Sequence, residues 1–167
     1  MTDASGIAKE IERKYLLNSL PSKVETASHK FMVIHGWIPG EVIQERITWN
    51  NRGDGEFWRA IKTGKGLERI EAQERIDAAL YVKLIDACGD RRIEKTRYCI
   101  PEGNLVWEID EFVGKLQGLY LAEIEIPSTD FEVSIPPWFL YCMVKEVTDD
   151  PDYLNINLVK REQWIDP

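Results

Sequence analysis

The chain is poor in cysteine and histidine and lacks any long apolar run. Its 167 residues include three cysteines, Cys88, Cys99 and Cys142, and two histidines, His29 and His35. The cysteines are odd in number, widely separated and without CxxC spacing, and neither histidine falls in a zinc-ligand pattern with them. A disulfide scaffold and a zinc module are thereby set aside, which leaves buried free thiols in a reducing cytoplasm. No apolar run approaches the roughly 20 residues of a membrane span, and the start does not resemble a signal peptide. Low-complexity segments, long linkers and internal repeats are also missing. So is any basic excess: 21 Lys and Arg stand against 29 Asp and Glu, a net charge of −8. Broad nucleic-acid binding needs a net basic surface and is disfavoured. A small anion held by a local basic cluster is not.

An apolar share of 44% with 30% charged residues is that of one globular domain, spanning 1–167 and able to bury a real core. Short strand-like runs follow one another at about 8–17, 30–38, 42–49, 56–63, 67–76, 91–100, 104–113 and 119–127. The connections Asn50–Gly55, Gly64–Gly66 and Pro101–Asn104 are of hairpin type. Asp77 is placed to cap a helix running to Cys88, with Tyr81, Leu84, Ile85 and Cys88 on one face and Gly89 ending it. One short helix is expected near Tyr153–Val159 in a less regular tail. About eight antiparallel strands in a domain of this size predict a closed barrel or a sandwich, mainly β with a few helices.

The alternation within the strands sorts the charges. Glu10, Glu12 and Lys14 share one face of the first strand, since alternate side chains point the same way. Gln44, Arg46 and Thr48 do so in the third, and Trp58, Ala60 and Lys62 in the fourth. Arg69, Glu71, Gln73 and Arg75 line up in the fifth, Lys95 and Arg97 in the sixth, Glu108 and Asp110 in the seventh, and Glu123 and Glu125 in the eighth. Acids and bases therefore mix on almost every polar face. A solvated outer surface accounts for this, and so does the wet lumen of a closed barrel in which acids hold cations and bases hold a polyanion. A dry interior does not, because that many charges are prohibitive to bury unpaired.

These segments resemble the CYTH domain, or triphosphate tunnel metalloenzyme, family over nearly the whole chain. The resemblance rests on Glu10-Ile11-Glu12-Arg13-Lys14, Gln44-Glu45-Arg46, Ile61-Lys62 and Gly66-Leu67-Glu68-Arg69-Ile70-Glu71. It continues through Arg92-Ile93-Glu94-Lys95-Thr96-Arg97-Tyr98, Trp107-Glu108-Ile109-Asp110, Leu121–Ile126 and Glu146-Val147-Thr148 with Tyr153 and Asn155. It implies an α+β, mainly antiparallel fold: a closed eight-stranded β-barrel, the triphosphate tunnel, with a few flanking helices. It also implies binding of triphosphate with Mg²⁺ or Mn²⁺, and short bacterial members with this start are most like the inorganic triphosphatases. Carried over by position, Glu10, Glu12 and Glu125 would hold metal. Glu123 would join them or, like Glu71 and Asp110, orient water or a second ion. Lys14, Arg46, Lys62, Arg69, Lys95 and Arg97 match the family's phosphate-binding bases.

Three positions depart from the family pattern. Thr48 stands where a second base commonly follows Arg46, Gln73 where a second glutamate follows Glu71, and Leu154 and Ile156 near an expected lysine, for which Lys145 or Lys160 are the substitutes within reach of the sequence. These changes leave the metal carboxylates intact and thin the phosphate shell. Arg59 and Arg75 are additional to the pattern, Arg59 expected at the surface. His29 and His35 match no motif, and the six tryptophans read as barrel wall and helix packing. The expected function is metal-dependent hydrolysis of inorganic triphosphate or a small organic triphosphate in the cytoplasm, with no nucleic-acid or membrane partner; exposed hydrophobic edges would suit a homodimer. A class IV type adenylate cyclase and a non-catalytic polyphosphate or nucleotide sensor are the alternatives.

Overall fold

A computed structural model describes residues 7–39, 45–52, 55–65 and 67–165, with side chains described from residue 9 onward and omitted at 63–65. Gln44, Gly53, Asp54 and Gly66, expected in the third strand and the turns, lie outside the described residues. The strands are β1 (Ile7–Leu17), β2 (His29–Ile38), β3 (Glu45–Asn50), β4 (Glu56–Lys65), β5 (Glu68–Arg75), β6 (Arg92–Glu102), β7 (Leu105–Phe112), β8 (Tyr120–Glu125) and β9 (Met143–Glu146). They run in the order β5-β4-β3-β2-β6-β7-β8-β1, and β1 pairs back onto β5, closing an eight-stranded antiparallel barrel. Closure leaves these strands no open edge.

β1 makes the closure by dividing one of its edges. Ile7–Ile11 pair with Ala72–Glu68 of β5, and beyond them Tyr15–Leu17 pair with β9. Its other edge pairs Glu12–Leu17 with Glu125–Tyr120 of β8. β9 was not among the expected strands. It has four residues and pairs with β1 alone, so it carries little alternation of its own.

The outward rows are apolar and covered. Helix α1 (Ala78–Cys88) begins at Asp77, whose carboxylate accepts from the Leu80 amide at 2.8 Å, and ends at Gly89, which has φ of 56°. Its Tyr81, Leu84, Ile85 and Cys88 pack on Ile34, Ile38 and Ile47 of β2 and β3. Gly36 permits this approach, since a Cβ there would sit 2.6 Å from Ile85 Cδ1 and 2.7 Å from Cys88 Sγ. On the far side Ile11, Tyr15, Ile109, Ala122 and Ile124 pack with Trp107, Phe139 and Cys142. Trp107 and Phe139 rings lie 4.5 Å apart and Trp138 meets both, so these two tryptophans serve packing, as expected.

The inward rows change character along the barrel. Past Lys14, His35, Lys95, Asp110 and Glu123, the same rows continue as Leu16, Trp37, Ile93, Phe112 and Leu121, which form one apolar cluster. Val147, Tyr153, Leu158 and Val159 from the C-terminal segment complete it. The helix expected near 153–159 is divided into a 3-10 turn, Pro151–Tyr153, and helix α2, Asn155–Leu158. The barrel is thus plugged by hydrocarbon at one end and polar along the rest.

Candidate active site

The polar stretch is a cavity of about 1920 Å³ lined by residues from β1 to β8. Its charges are paired almost completely. From β4, Lys62 Nζ donates to both Glu10 oxygens at 2.7 and 2.9 Å and stands 3.5 Å from Glu71. Arg69 donates to Glu12 and lies 3.3 Å from Glu10, while Arg46 donates to Glu71. Lys14 Nζ is 2.7 Å from Glu123 and 3.9 Å from Glu12. A second group centres on Asp110, which accepts from Lys95 and, at 2.7 and 2.6 Å, from Nε and Nη2 of Arg97. Arg97 also donates to Glu108 and, at 2.7 Å, to Glu123, so Glu123 joins the two groups.

Strand register makes these pairs. Glu10 faces Arg69 across β1 and β5, Lys62 faces Glu71 across β4 and β5, and Arg97 faces Asp110 across β6 and β7. Glu12 faces Glu125, and Lys14 faces Glu123, across β1 and β8.

Burial disfavours the charged forms of Glu10, Glu12, Glu123 and Lys95, and the neighbours decide which prevail. Burial opposes ionisation of Glu123, but Lys14, Lys95 and Arg97 outweigh it and hold the carboxyl well below its ordinary range. Glu10 is held low in the same way, Lys62 and then Arg69 overcoming burial. Glu12 behaves oppositely: burial, then Glu123 and Glu10, push its carboxyl up despite Lys14 and Arg69. Burial and Arg97 likewise lower Lys95, against the pull of Asp110 and Glu123. Carboxylate charge is therefore in excess around Glu12, and ammonium charge is disfavoured at Lys95.

The structure brings most of the expected site residues to one lumen. Glu10, Glu12, Lys14, Arg46, Lys62, Arg69, Glu71, Lys95, Arg97, Glu123 and Glu125 all line the cavity. Asp110 is 0% exposed and lies beneath Lys95 and Arg97, facing the bases rather than the open lumen. Gln73 lines the cavity, as do Leu154, Asn155 and Ile156 near the expected lysine. Lys145 turns to Asp150 and Lys160 to Asn157, so neither takes that lysine's place. Arg59 sits at the surface beside Glu45 and Glu74, as expected, and Arg75 is also exposed. Among the described residues, no three or more Asp, Glu, His or Cys side chains are grouped to hold a metal ion as they stand. The residue missed in the sequence is His35, which lies in the lumen wall and donates to or accepts from Thr48. Its signal was the alternation of β2, where Ile34, Gly36 and Ile38 belong to the α1 side and leave position 35 inward.

No family model matches the chain. An inorganic triphosphatase of Acetivibrio thermocellus is 31% identical over 158 residues, 92% of this chain and 95% of that protein. This chain belongs to the CYTH family of triphosphatases. A second CYTH relative, an inorganic triphosphatase of Nitrosomonas europaea, is 35% identical over 152 residues, covering 87% of this chain and 93% of its own length. The crystal structure of an inorganic triphosphatase superposes with a TM-score of 0.64 at 29% identity, over 90% of this chain and 97% of that one. The closed barrel, one of the two architectures the strand pattern allowed and the one the family resemblance implied, is found in the chain's own structure, and a solved relative shares the fold. No helix among the described residues is long and apolar enough to cross a membrane.

Proposed function

We propose that the lumen hydrolyses inorganic triphosphate, or a small organic triphosphate, with Mg²⁺ or Mn²⁺ held by Glu10, Glu12, Glu123 and Glu125. The observation that carries this reading is the interleaving of bases and acids inside a closed barrel, with the acid excess concentrated at Glu12. Hard carboxylate oxygens on neighbouring β1 and β8 positions suit these cations. Their presence would offset the burial and the repulsion from Glu123 and Glu10 that raise Glu12, and would release Lys14 and Arg69 from the carboxylates they hold. When bound, such an ion polarises phosphoryl oxygens and offsets the charge that repels an attacking water.

The chain's own groups account for the rest. A triphosphate carries about four negative charges near neutral pH. Arg46, Arg69 and Arg97 offer paired N–H donors to its oxygens, and Lys14, Lys62 and Lys95 act as point charges. Glu71, held between Arg46 and Lys62, is the carboxylate placed to orient a water. Asp110 acts through Lys95 and Arg97 as a positioning residue. The triphosphatase names of relatives matching most of the chain favour hydrolysis over cyclisation or binding without turnover. Glu12→Gln and Glu125→Gln should each abolish metal-dependent phosphate release while the protein stays folded. Full activity in both variants would refute the assignment.

A further inference from the structure

We propose that His35, set by Thr48, is a further substrate-contacting residue of the lumen, binding a phosphate oxygen through its imidazole Nε2. The proposal rests on the triphosphate reading above. Thr48 occupies the position where family members commonly carry a second base, so a fixed cation is missing from this part of the wall. Its cross-strand partner is His35, and His35 Nδ1 lies 2.9 Å from Thr48 Oγ1. Both side chains are buried, each 7% exposed, and His35 lines the cavity. Nε2 has no hydrogen-bond partner among the described residues, and the Trp37 ring, 5.9 Å from the imidazole, flanks it. With Nδ1 accepting from the Thr48 hydroxyl, Nε2 carries the hydrogen and is a donor at the wall of an anion site.

The surroundings give this donor a second property. Burial, then Arg46 from β3, Lys95 and Arg97 from β6 and Lys62 from β4, hold the imidazole well below its ordinary pKa. The carboxylates nearest these bases, Glu10, Glu71, Glu108, Asp110 and Glu123, are each engaged by one or more of them. A polyanion lying among the four cations reverses the sign of the local field. The imidazole then takes a proton from solvent, Nδ1–H donates to Thr48 Oγ1, and Nε2–H becomes a charge-assisted donor. The cation absent from position 48 is in this way supplied on demand by position 35.

The test uses a methylene-bridged, non-hydrolysable triphosphate analogue with Mg²⁺ at about pH 7.5. Imidazole ¹⁵N signals are followed in the wild-type chain, whose two histidines are assigned by comparison with His29→Gln and His35→Gln. Binding should move the His35 signals from neutral imidazole to imidazolium, and His35→Gln should weaken binding about tenfold with loss of the accompanying proton uptake. Tight binding with unshifted His35 signals, or with equal affinity in His35→Gln, would overturn the role of His35 and leave the triphosphate reading standing. No binding of the analogue by the wild-type chain would overturn both.

Discussion

Asp110 offers the sharpest test of how the lumen is held together. It is 0% exposed, and Lys95 beside it is 2% exposed. Its two oxygens accept from Lys95 and from two nitrogens of Arg97. Asp110→Asn keeps the shape, removes the charge and turns an amide N–H₂ toward two cations. Arg97 retains Glu108 and Glu123, so the loss falls mainly on Lys95, for which Asp110 is the hydrogen-bonding carboxylate. Removing one partner of a buried ion pair costs about 3–5 kcal/mol. At roughly 2–4 °C per kcal/mol for a chain of this length, Tm should fall by about 6–20 °C. Inorganic triphosphate, in EDTA to prevent turnover, should raise Tm more in the variant than in the wild type, because the polyanion replaces the missing counter-charge. Thermal unfolding followed by circular dichroism, with and without triphosphate, reads both effects. A variant melting within about 2 °C of the wild type would refute the view that Asp110 neutralises and holds the bases.

Two carboxylates on facing strands should respond in opposite ways. Glu123 is depressed in the folded state below its ordinary value of 4.5, so its contribution to stability is present above that value and is lost as pH falls toward the folded pKa. Glu123→Gln should therefore destabilise the metal-free protein at neutral pH and flatten its acid unfolding profile, whereas Glu12→Gln, replacing a carboxylate whose ionisation is disfavoured, should leave Tm unchanged or raised; the reverse order in EDTA would contradict the charge distribution described. Gly36→Ala should destabilise by about 1–3 kcal/mol through overpacking against Ile85 and Cys88, measured by urea unfolding, and an unperturbed midpoint would show that α1 sits farther from β2.

Much of this architecture is legible before folding, and the boundary of legibility is physical. β1 and β4 to β8 show in alternation because one face meets hydrocarbon and the other a polar lumen. α1 shows in its apolar stripe, its Asp77 cap and its terminal glycine. The plug does not show, because Leu16, Ile93, Phe112 and Leu121 sit on rows read as polar from their other members, and Trp37 lies on a strand for which no inward row was read. β9 does not show, because three of its four residues are exposed and its pairing is with one end of β1. Among the site residues, alternation places the bases and acids on one face but is silent on which carboxylate reaches open lumen. Register decides that, setting Asp110 opposite Arg97 and under it. His35 escapes for another reason: inside the run Phe31–Ile38 a single neutral imidazole resembles a packed aromatic until Thr48 is seen beside it.

The central claim is that this barrel uses its carboxylates for a divalent cation and its bases for triphosphate, and cleaves what it binds. Phosphate release from inorganic triphosphate at alkaline pH, with Mg²⁺ or Mn²⁺ against EDTA and with ATP and thiamine triphosphate alongside, tests it most directly. Rapid release from triphosphate that disappears in EDTA is the expected result. Binding of triphosphate, seen as a raised Tm, without release from any of the three substrates at either metal would contradict it and make the chain a polyphosphate-binding module.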